Sequence, residues 1–324
     1  MSKTRGVTQA AYYQAFAGVA NYTGNAVFSV GPGGIFTVDE GANWGQSGST
    51  PITSGQTLKG FVTGGLETLN LSTRQYTYDV AQFASAANLT TLRLTNSGGV
   101  GDLNFVSDFL SLEDLRFDGT AIALDLASLS NLAALTSFNG GSGVTGNLSA
   151  FENKTLIQRL TIEDSSSAEG DLTSLLSSKN TMLFLTLPYQ AGVSGNIVCS
   201  TAVLTQFVNA RLINLINRPT TTGAVNDFSV CTQLTDLRIS STGFTGGFDQ
   251  LISLTNVRDL RLDGLNMSQI ELDAGLQAFA NNVSNFTQTN KTLRIDSQQT
   301  GETPSAAGNT AIATLQANGW TVIF

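Results

Sequence analysis

The stretch LTTLRLTNSGGVGDLNFVSDFLSLEDLRF, residues 89–117, contains one complete copy of a repeated unit and the start of the next copy. Three apolar residues in the pattern L-x-x-L-x-L recur after about 23 residues. They are Leu89, Leu92 and Leu94 in one copy, and Leu112, Leu115 and Phe117 in the next. This pattern predicts a short strand with apolar side chains on one face and polar side chains on the other. One such coil cannot bury its own leucines, so each coil needs a neighbour on either side.

The same spacing continues over most of the chain, from about residue 66 to residue 295. The ten predicted strand cores are Leu66-Leu69-Leu71, Leu89-Leu92-Leu94, Leu112-Leu115-Phe117, Leu135-Phe138, Ile157-Leu160-Ile162, Met182-Leu185-Leu187, a blurred copy near Leu212-Ile213-Asn214-Leu215, Leu234-Leu237-Ile239, Val257-Leu260-Leu262 and Leu293-Ile295. Six triplets of glycine, any residue and an apolar residue lie in phase with them, at 101–103, 146–148, 170–172, 195–197, 223–225 and 246–248. The two motifs predict a stack of coils roughly 45 Å long, at about 4.8 Å per strand.

The two ends of the chain depart from the repeat. At the amino end, the apolar spacing predicts a helix over residues 7–20. A hairpin is predicted next, with strands at 26–30 and 35–38 around Gly31-Pro32-Gly33-Gly34, and then a loop over 39–57. At the carboxy end, the pattern predicts a helix over 271–283, a second helix from Pro304-Ser305 to Ala317, and a closing strand over 320–324.

Composition restricts the class of protein. Charged residues make up only 12% of the chain and 33 of its 324 residues are glycine, which favours a β-rich solenoid over a helical enzyme. The net charge of −8 disfavours nucleic acid and anionic membranes as partners. No apolar run reaches the length of a membrane span, and the first 22 residues predict no secretory signal. Cys199 and Cys231 lie at different offsets within their coils, which favours two buried free thiols over a disulfide.

The repeat over residues 66–295 resembles the leucine-rich repeat family. Asn96 matches the asparagine that usually follows the strand in that family, although most other copies lack it. Gly146-Asn147-Leu148 resembles the second-strand motif of the plant-type branch, without the proline that often follows it there. The Gly-Asp-Leu spelling at 101–103 and 170–172 and the ending TPSAAGNTAIATLQANGWTV look more like bacterial and phage-borne members. The resemblance implies a non-catalytic recognition or scaffold module that binds through a concave sheet.

We therefore predict a mainly β fold with minor α, a right-handed leucine-rich repeat solenoid. The solenoid is expected to span residues 65–296 with about ten coils. Residues 1–64 are predicted to form a small β-containing domain, made of a helix and a hairpin. This domain is expected to dock onto other proteins or to cap the first coil of the solenoid. Residues 297–324 are predicted to form a helix–strand cap.

Charged residues recur at the outward positions of the predicted strands. The residue between the last two leucines of a copy is often arginine, and aspartate often lies two positions earlier, on the same face of the strand. The candidate binding residues on the concave face are Arg93, Asp114, Arg116, Asp236, Arg238, Asp259, Arg261 and Arg294, with Asp118, Asp263 and Asp296 just beyond the strands. Two interpretations remain open: a solvated ion-pair ladder that fixes the register of the strands, or a polar strip that binds a saccharide or a protein edge.

The coil around residues 187–219 departs from the polar-outward pattern, at Leu183, Phe184, Pro188 and Tyr189. This irregularity indicates either a binding site or ordinary drift of the repeat.

No catalytic, metal-binding or cofactor-binding residue is predicted. The chain contains no histidine, which excludes Ser-His-Asp, Cys-His and histidine-based metal chemistry. Gly31-Pro32-Gly33-Gly34 lacks the lysine of a phosphate-binding loop. Carboxylates one coil apart, such as Asp102 and Asp125, are too few to define a calcium site.

The absence of a secretory signal, combined with a surface typical of extracellular proteins, predicts a bacteriophage virion component: a decoration, fibre or host-attachment module. Its amino-terminal segment is expected to contact other virion proteins, and its concave face a host protein or glycan. The alternative is a bacterial cell-surface adhesin. A carbohydrate-active enzyme on a β-solenoid would need carboxylates that converge in one groove.

Overall fold

The structure, a computed structural model, describes residues 13–20, 24–30, 35–38, 43–45, 48–52, 57–63 and 66–324, except 73–75, 85, 164, 166, 189–196 and 219. The chain divides into two compact units. The amino-terminal unit comprises Met1–Leu135 and Gly140–Gly143, and the carboxy-terminal unit comprises Thr136–Asn139 and Val144–Phe324. Each unit contains two sheets, which we call its first and second sheet.

The amino-terminal unit contains twelve of the strands that the structure describes. They are β1 (Tyr13–Ala20), β2 (Gly24–Val30), β3 (Ile35–Val38), β4 (Asn43–Gly45), β5 (Gly48–Ile52), β6 (Thr57–Thr63), β7 (Leu66–Asn70), β8 (Tyr76–Asp79), β9 (Thr91–Arg93), β10 (Gly99–Asp102), β11 (Asp114–Arg116) and β12 (Ala121–Asp125). The first sheet has the order β5-β2-β7-β9-β11, and the second has the order β4-β3-β6-β1-β8-β10-β12.

The carboxy-terminal unit continues the same alternation of strands. Its strands are β13 (Ser137–Gly140), β14 (Val144–Asn147), β15 (Arg159–Ile162), β16 (Ser167–Asp171), β17 (Phe184–Thr186), β18 (Ile197–Ser200), β19 (Leu212–Asn214), β20 (Thr221–Thr222), β21 (Asp236–Arg238), β22 (Asp259–Arg261), β23 (Lys291–Arg294) and β24 (Trp320–Ile323). The first sheet has the order β13-β15-β17-β19-β21-β22-β23-β24, and the second has the order β14-β16-β18-β20.

Helices are short and few in the described residues. The α-helices are α1 (Thr201–Leu204), α2 (Gln269–Asn281) and α3 (Ala306–Ala317). The 3₁₀ helices are Val80–Phe83, Asn104–Asp108, Leu126–Leu129, Leu148–Phe151, Leu172–Ser178, Val225–Val230, Asp249–Ser253 and Val283–Asn285. Parallel strands joined by such short connections make each unit a stack of coils, as the repeat predicts.

The first sheets are held in register by their central apolar residues. Leu92 pairs with Leu115 in the amino-terminal unit, and Leu237 pairs with Leu260 in the carboxy-terminal unit. All four side chains are fully buried. The blurred copy is also regular in the structure: Ala210, Ile213 and Leu215 are fully buried at the L-x-x-L-x-L spacing, with alanine at the first position.

In the triplets at 101–103, 146–148 and 170–172, the three residues perform separate tasks. The glycine adopts a left-handed conformation, for example at Gly101, Gly146 and Gly170. The middle residue caps the 3₁₀ helix that follows: the Asp171 carboxylate accepts a 2.7 Å hydrogen bond from the amide of Thr173. The third, apolar residue is buried in the core of the coil, as Leu172 is.

Several of the turns that follow first-sheet strands are closed by a polar side chain that the sequence analysis missed. The Ser97 hydroxyl donates to the Leu94 carbonyl, and the Thr242 hydroxyl donates to the Ile239 carbonyl at 2.7 Å. In both turns the polar residue lies three positions after the last apolar residue of the strand. Both side chains are buried, so these bonds satisfy carbonyls that solvent does not reach.

The predictions for the amino-terminal segment are wrong in three respects. Residues 13–20 of the predicted helix form β1, which pairs with β6 and β8; residues 7–12 lie outside the described residues. The two predicted hairpin strands exist as β2 and β3, but they belong to different sheets, where β2 pairs with β5 and β7 and β3 pairs with β4 and β6. The predicted loop over 39–57 contains β4 and β5. These strands extend both sheets of the unit, because the first coil has unpaired strand edges to satisfy.

The carboxy-terminal elements are confirmed. The helix predicted over 271–283 begins two residues earlier, where Ser268 and Glu271 form a reciprocal capping box. Ser305 caps α3, and β24 pairs with β23. The domain boundaries at residues 64 and 296 remain predictions.

Lys154 occupies a core position within the carboxy-terminal unit. Its amide bonds the carbonyl three residues earlier, as the amides of Phe207, Cys231 and Leu254 do in later coils, and its side chain is 2% exposed. Burial lowers the pKa of its ammonium group to about 8. A cation therefore occupies a position that apolar residues fill elsewhere.

We expect Leu237→Ala to lower the free energy of unfolding by about 2–5 kcal/mol, because it leaves a cavity at a fully buried position. Leu115→Ala should lower the free energy of unfolding by a similar amount, because Leu115 is also fully buried. Urea denaturation followed by circular dichroism measures the loss. Thr292→Ala, on the outward face of β23, is the control and should change stability by less than about 0.5 kcal/mol. A loss near zero for Leu237→Ala would contradict the register described above.

We expect the stability of the protein to rise with pH relative to a Lys154→Met variant between about pH 8 and pH 10.5. Over this range the lysine binds a proton in the unfolded protein and has lost it in the folded protein. The free-energy cost of burying Lys154 therefore falls as pH rises through this range, and it is constant below the folded-state pKa. The difference corresponds to about 3 kcal/mol. Urea unfolding of both proteins from pH 7 to 10.5 tests it; parallel curves would contradict it.

Candidate functional site

The outward residues of the first sheets form two rows in each unit, which we call the strand face. They lie on either side of the buried central residue of each strand, so their side chains point away from the core. In the amino-terminal unit the rows are Thr68, Thr91 and Asp114, and Asn70, Arg93 and Arg116. In the carboxy-terminal unit, from β15 to β23, they are Arg159, Phe184, Leu212, Asp236, Asp259 and Thr292, and Thr161, Thr186, Asn214, Arg238, Arg261 and Arg294.

In the amino-terminal unit, one aspartate links two arginines on neighbouring strands. The Arg93 Nε donates to Asp114 Oδ2 at 2.8 Å, and the Arg116 Nε donates to Asp114 Oδ1 at 2.7 Å. Arg116 shares β11 with Asp114, whereas Arg93 lies on β9. The predicted Asp114/Arg116 pair therefore forms, and Asp114 also bridges to the preceding coil.

The carboxy-terminal unit repeats this arrangement on a larger scale. Asp259 Oδ2 accepts from Arg238 Nε on the adjacent strand at 2.7 Å, and from Arg261 Nε on its own strand at 3.1 Å. Asp236 contacts Arg238 at 3.4 Å and Arg258 at 3.2 Å. The remaining predicted arginine, Arg294, pairs with Asp296 at 3.6 Å and with neither bridging aspartate.

Arg258 was not among the predicted site residues. It lies one position before β22, outside the alternation used to predict the strand face. Its position matches that of Thr235 before β21, and its amide donates to the Thr235 carbonyl at 2.7 Å. Comparing aligned copies at the position before each strand would have revealed it.

The ionic groups of the carboxy-terminal unit are arranged in two layers. The Asp236 and Asp259 side chains are only 5% and 13% exposed, whereas the Arg238, Arg258 and Arg261 side chains are 28%, 59% and 37% exposed. The carboxylates therefore lie beneath the guanidinium groups. We call Arg238, Arg258 and Arg261 the arginine layer.

The aspartates just beyond the strands serve a structural role in two of three cases. The Thr95 hydroxyl donates to Asp118 Oδ1 at 2.8 Å, and the Ser240 hydroxyl donates to Asp263 Oδ1 at 2.6 Å. Each bond joins equivalent turns of adjacent coils. Asp296 instead takes part in the ion pair with Arg294.

The irregular coil places apolar side chains on the strand face of the carboxy-terminal unit. Phe184 on β17 is in register with Leu212 on β19, and both are partly exposed. The Arg159 guanidinium lies over the Phe184 ring, with 4.1 Å between its Cζ and the ring centroid. Tyr189 lies outside the described residues, and Pro188 is half-buried beyond the strand.

The described residues contain no group of three or more histidine, cysteine or acidic side chains that could hold a metal ion. Asp102 and Asp125 cap 3₁₀ turns instead, by accepting hydrogen bonds from the amides of Asn104 and Ala127. Cys199 and Cys231 are free and buried. Burial raises the pKa of the Cys199 thiol to about 12 and that of Cys231 to about 11, which makes both unreactive as nucleophiles.

No family model and no curated protein sequence matches the chain. Among solved structures, it is similar to a leucine-rich repeat protein of Leptospira interrogans, with 15% sequence identity, a TM-score of 0.52, and 80% of this chain and 72% of that chain covered. It is also similar to the leucine-rich repeat ectodomain of the Arabidopsis receptor kinase HAESA, in complex with an N-terminal extended IDA peptide hormone ligand. There the identity is 14%, the TM-score is 0.51, and 72% of this chain and 42% of that chain are covered.

This chain has the leucine-rich repeat fold. The similarity confirms the predicted fold class, mainly β with minor α, and the leucine-rich repeat fold that the motif at residues 89–117 predicts. It agrees with the parallel pairing and the buried central leucines described above. In the described part of this leucine-rich repeat chain, no helix is both long and apolar enough to cross a bilayer.

The ion-pair geometry predicts unequal effects of substitution. Asp236→Ala should lower the free energy of unfolding by about 1–3 kcal/mol, because it leaves Arg238 and Arg258 without a shared acceptor and removes the bond from the Thr235 hydroxyl. Arg258→Ala should cost less than about 1 kcal/mol, because its side chain is mostly exposed. Urea unfolding of both variants measures the difference, and equal losses would contradict the layered arrangement.

Proposed function

We propose that this protein is a non-catalytic recognition protein, and that it binds another protein through the strand face of its carboxy-terminal unit. The observation that carries the proposal is the Phe184–Leu212 pair. In the other strands of this sheet, the same row is filled by polar or charged residues, from Arg159 on β15 to Thr292 on β23. Two neighbouring apolar side chains there face solvent rather than the core, at a cost that burial against a partner would remove.

The surroundings of this pair suit a protein partner. Aromatic residues and arginine are enriched at the energetic centres of protein interfaces. Here Phe184 carries the Arg159 guanidinium on its ring, and the arginine layer begins one strand beyond Leu212. Such a surface offers an apolar anchor and a polar rim side by side. The peptide hormone in the HAESA complex is a property of that receptor, and it supports this proposal only through the shared fold.

We further propose that the protein is a component of a bacteriophage particle, with residues 1–64 as the segment that contacts other virion proteins. The low content of charged residues and the abundance of glycine support a fibre-like or decorating protein. The strands of the amino-terminal segment continue the sheets of the repeat, so a docked segment would be joined rigidly to the coils of its unit.

The location of the protein tests the virion proposal. Culture of the producing organism is banded on a density gradient, and each fraction is searched for this chain by mass spectrometry. We expect recovery with intact phage particles at a fixed ratio to the capsid protein. Recovery with cell envelopes alone would contradict the virion proposal and favour the cell-surface adhesin.

The recognition surface is tested separately by placing a photo-crosslinking residue, p-benzoylphenylalanine, at Leu212 on the strand face. The matched control carries it at Val198 on the second sheet, which is also partly exposed. Each variant is irradiated with intact particles or envelopes, wherever the protein is found. We expect one discrete crosslinked protein from position 212 and none from position 198. Equal crosslinking at both positions, or none at 212, would contradict recognition through this face.

A further inference from the structure

We propose that the arginine layer binds an acidic segment of the partner protein, one in which Asp or Glu side chains are clustered. The inference rests on the proposed function, because it concerns the partner that occupies the same strand face. It adds the charge of that partner and the residues that would contact it: Arg238, Arg258 and Arg261.

The first argument is the orientation of the guanidinium groups. Arg258 and Arg261 each contact a buried aspartate through Nε. Within the part of the chain that the structure describes, the terminal nitrogens of these two side chains make no hydrogen bond. Each arginine is thus held by one edge while its two terminal nitrogens stay available. A planar pair of donors in this arrangement matches the two oxygens of a carboxylate.

The second argument is that the negative groups are more deeply buried than the positive groups. Three guanidinium groups lie above two carboxylates, and the carboxylates are the buried members of the set. A partner that approaches the strand face therefore meets positive charge first. The whole chain carries a net charge of −8, so this layer has the opposite sign to the chain as a whole. A short acidic segment needs only the local field, whereas a long nucleic acid would also meet the repulsion of the rest of the protein.

The third argument is spacing. Arg238 and Arg261 are paired residues on adjacent strands, about 4.8 Å apart. Acidic residues three or four positions apart on a helix have their Cβ atoms about 5–6 Å from each other. Two neighbouring acidic side chains can therefore meet two neighbouring arginines, and Leu212, in register with Asp236, offers an apolar contact beside them. A ligand that pairs with two arginines and also contacts Leu212 needs two acidic groups beside an apolar group. A polypeptide meets this requirement, and a free anion does not.

The test is a titration of the full chain with a fluorescein-labelled octaglutamate peptide at low salt. The comparison variant is Arg258→Gln/Arg261→Gln. Folding should be preserved, because Asp236 keeps Arg238 and the Thr235 hydroxyl, and Asp259 keeps Arg238; thermal unfolding verifies this. Arg261→Gln alone is titrated as well, and it should weaken binding more than its charge-matched control, Lys179→Gln. Lys179 is exposed at the end of a 3₁₀ helix and lies away from the strand face.

We expect saturable binding of octaglutamate that weakens steeply between about 50 and 500 mM salt. The double variant should bind at least about tenfold more weakly, and Lys179→Gln should stay within about twofold of the wild type. Octaglutamine should not bind. Equal affinities for the wild type and a folded double variant, or no binding by the wild type, would overturn the proposal. Tighter binding of inorganic phosphate or of a sulfated disaccharide than of octaglutamate would also overturn it, in favour of a different anion.

This experiment is independent of the crosslinking experiment. Octaglutamate binding that depends on Arg258 and Arg261, with no crosslink from position 212, would leave the acid-binding layer in place and contradict the proposed recognition surface. A crosslink from position 212, with octaglutamate binding that does not depend on Arg258 and Arg261, would support the recognition surface and contradict the proposal of an acidic partner.

Discussion

Burial of apolar side chains between adjacent coils is the interaction on which the rest of this structure depends. A coil of about 23 residues is too small to enclose its own leucines, so each coil is stable only against a neighbour. The consequence is strict register: Leu92 must lie on Leu115, and Leu237 on Leu260, because a shift by one residue would turn these side chains outward. Every other feature of the two units is built on this alignment.

Strict register also explains the ion pairs. When copies of one repeat are aligned, residues of the same type come to lie beside one another, so Arg238 and Arg261 would repel across about 4.8 Å. Aspartates two positions earlier in the strand reduce this repulsion, since each can bond one arginine in its own strand and another in an adjacent coil. Of the two interpretations left open by the sequence, the ladder is present in the structure. It does not exclude binding, because the aspartates are covered and the arginines are exposed.

The repeat could be predicted from the sequence because its signal is periodic, and the amino-terminal segment could not because its signal is not. Leu89, Leu92 and Leu94 identify a strand by spacing alone. Residues 13–20 contain three alanines and resemble a helix locally, yet they form β1, because pairing with β6 and β8 outweighs local preference. Likewise, Gly31-Pro32-Gly33-Gly34 indicated a hairpin between two strands that in fact join different sheets. Arg258 was missed because it precedes its strand, where alternation gives no information.

The comparison between the two units is the strongest reason to place recognition in the carboxy-terminal one. Both units contain an aspartate held between arginines, so ion pairing alone does not distinguish them. Beside Asp114, the row on the strand face of the amino-terminal unit continues with Thr91 and Thr68, which are polar and need no partner. Beside Asp236, the row continues with Leu212 and Phe184. An ion-pair ladder that only fixes the register of the strands does not require exposed apolar residues beside it. The arginines are already held by buried aspartates, so they lose little side-chain freedom when a partner binds. They also lie next to a partly exposed leucine and phenylalanine. Pre-ordered charges beside an apolar contact are what a recognition surface requires.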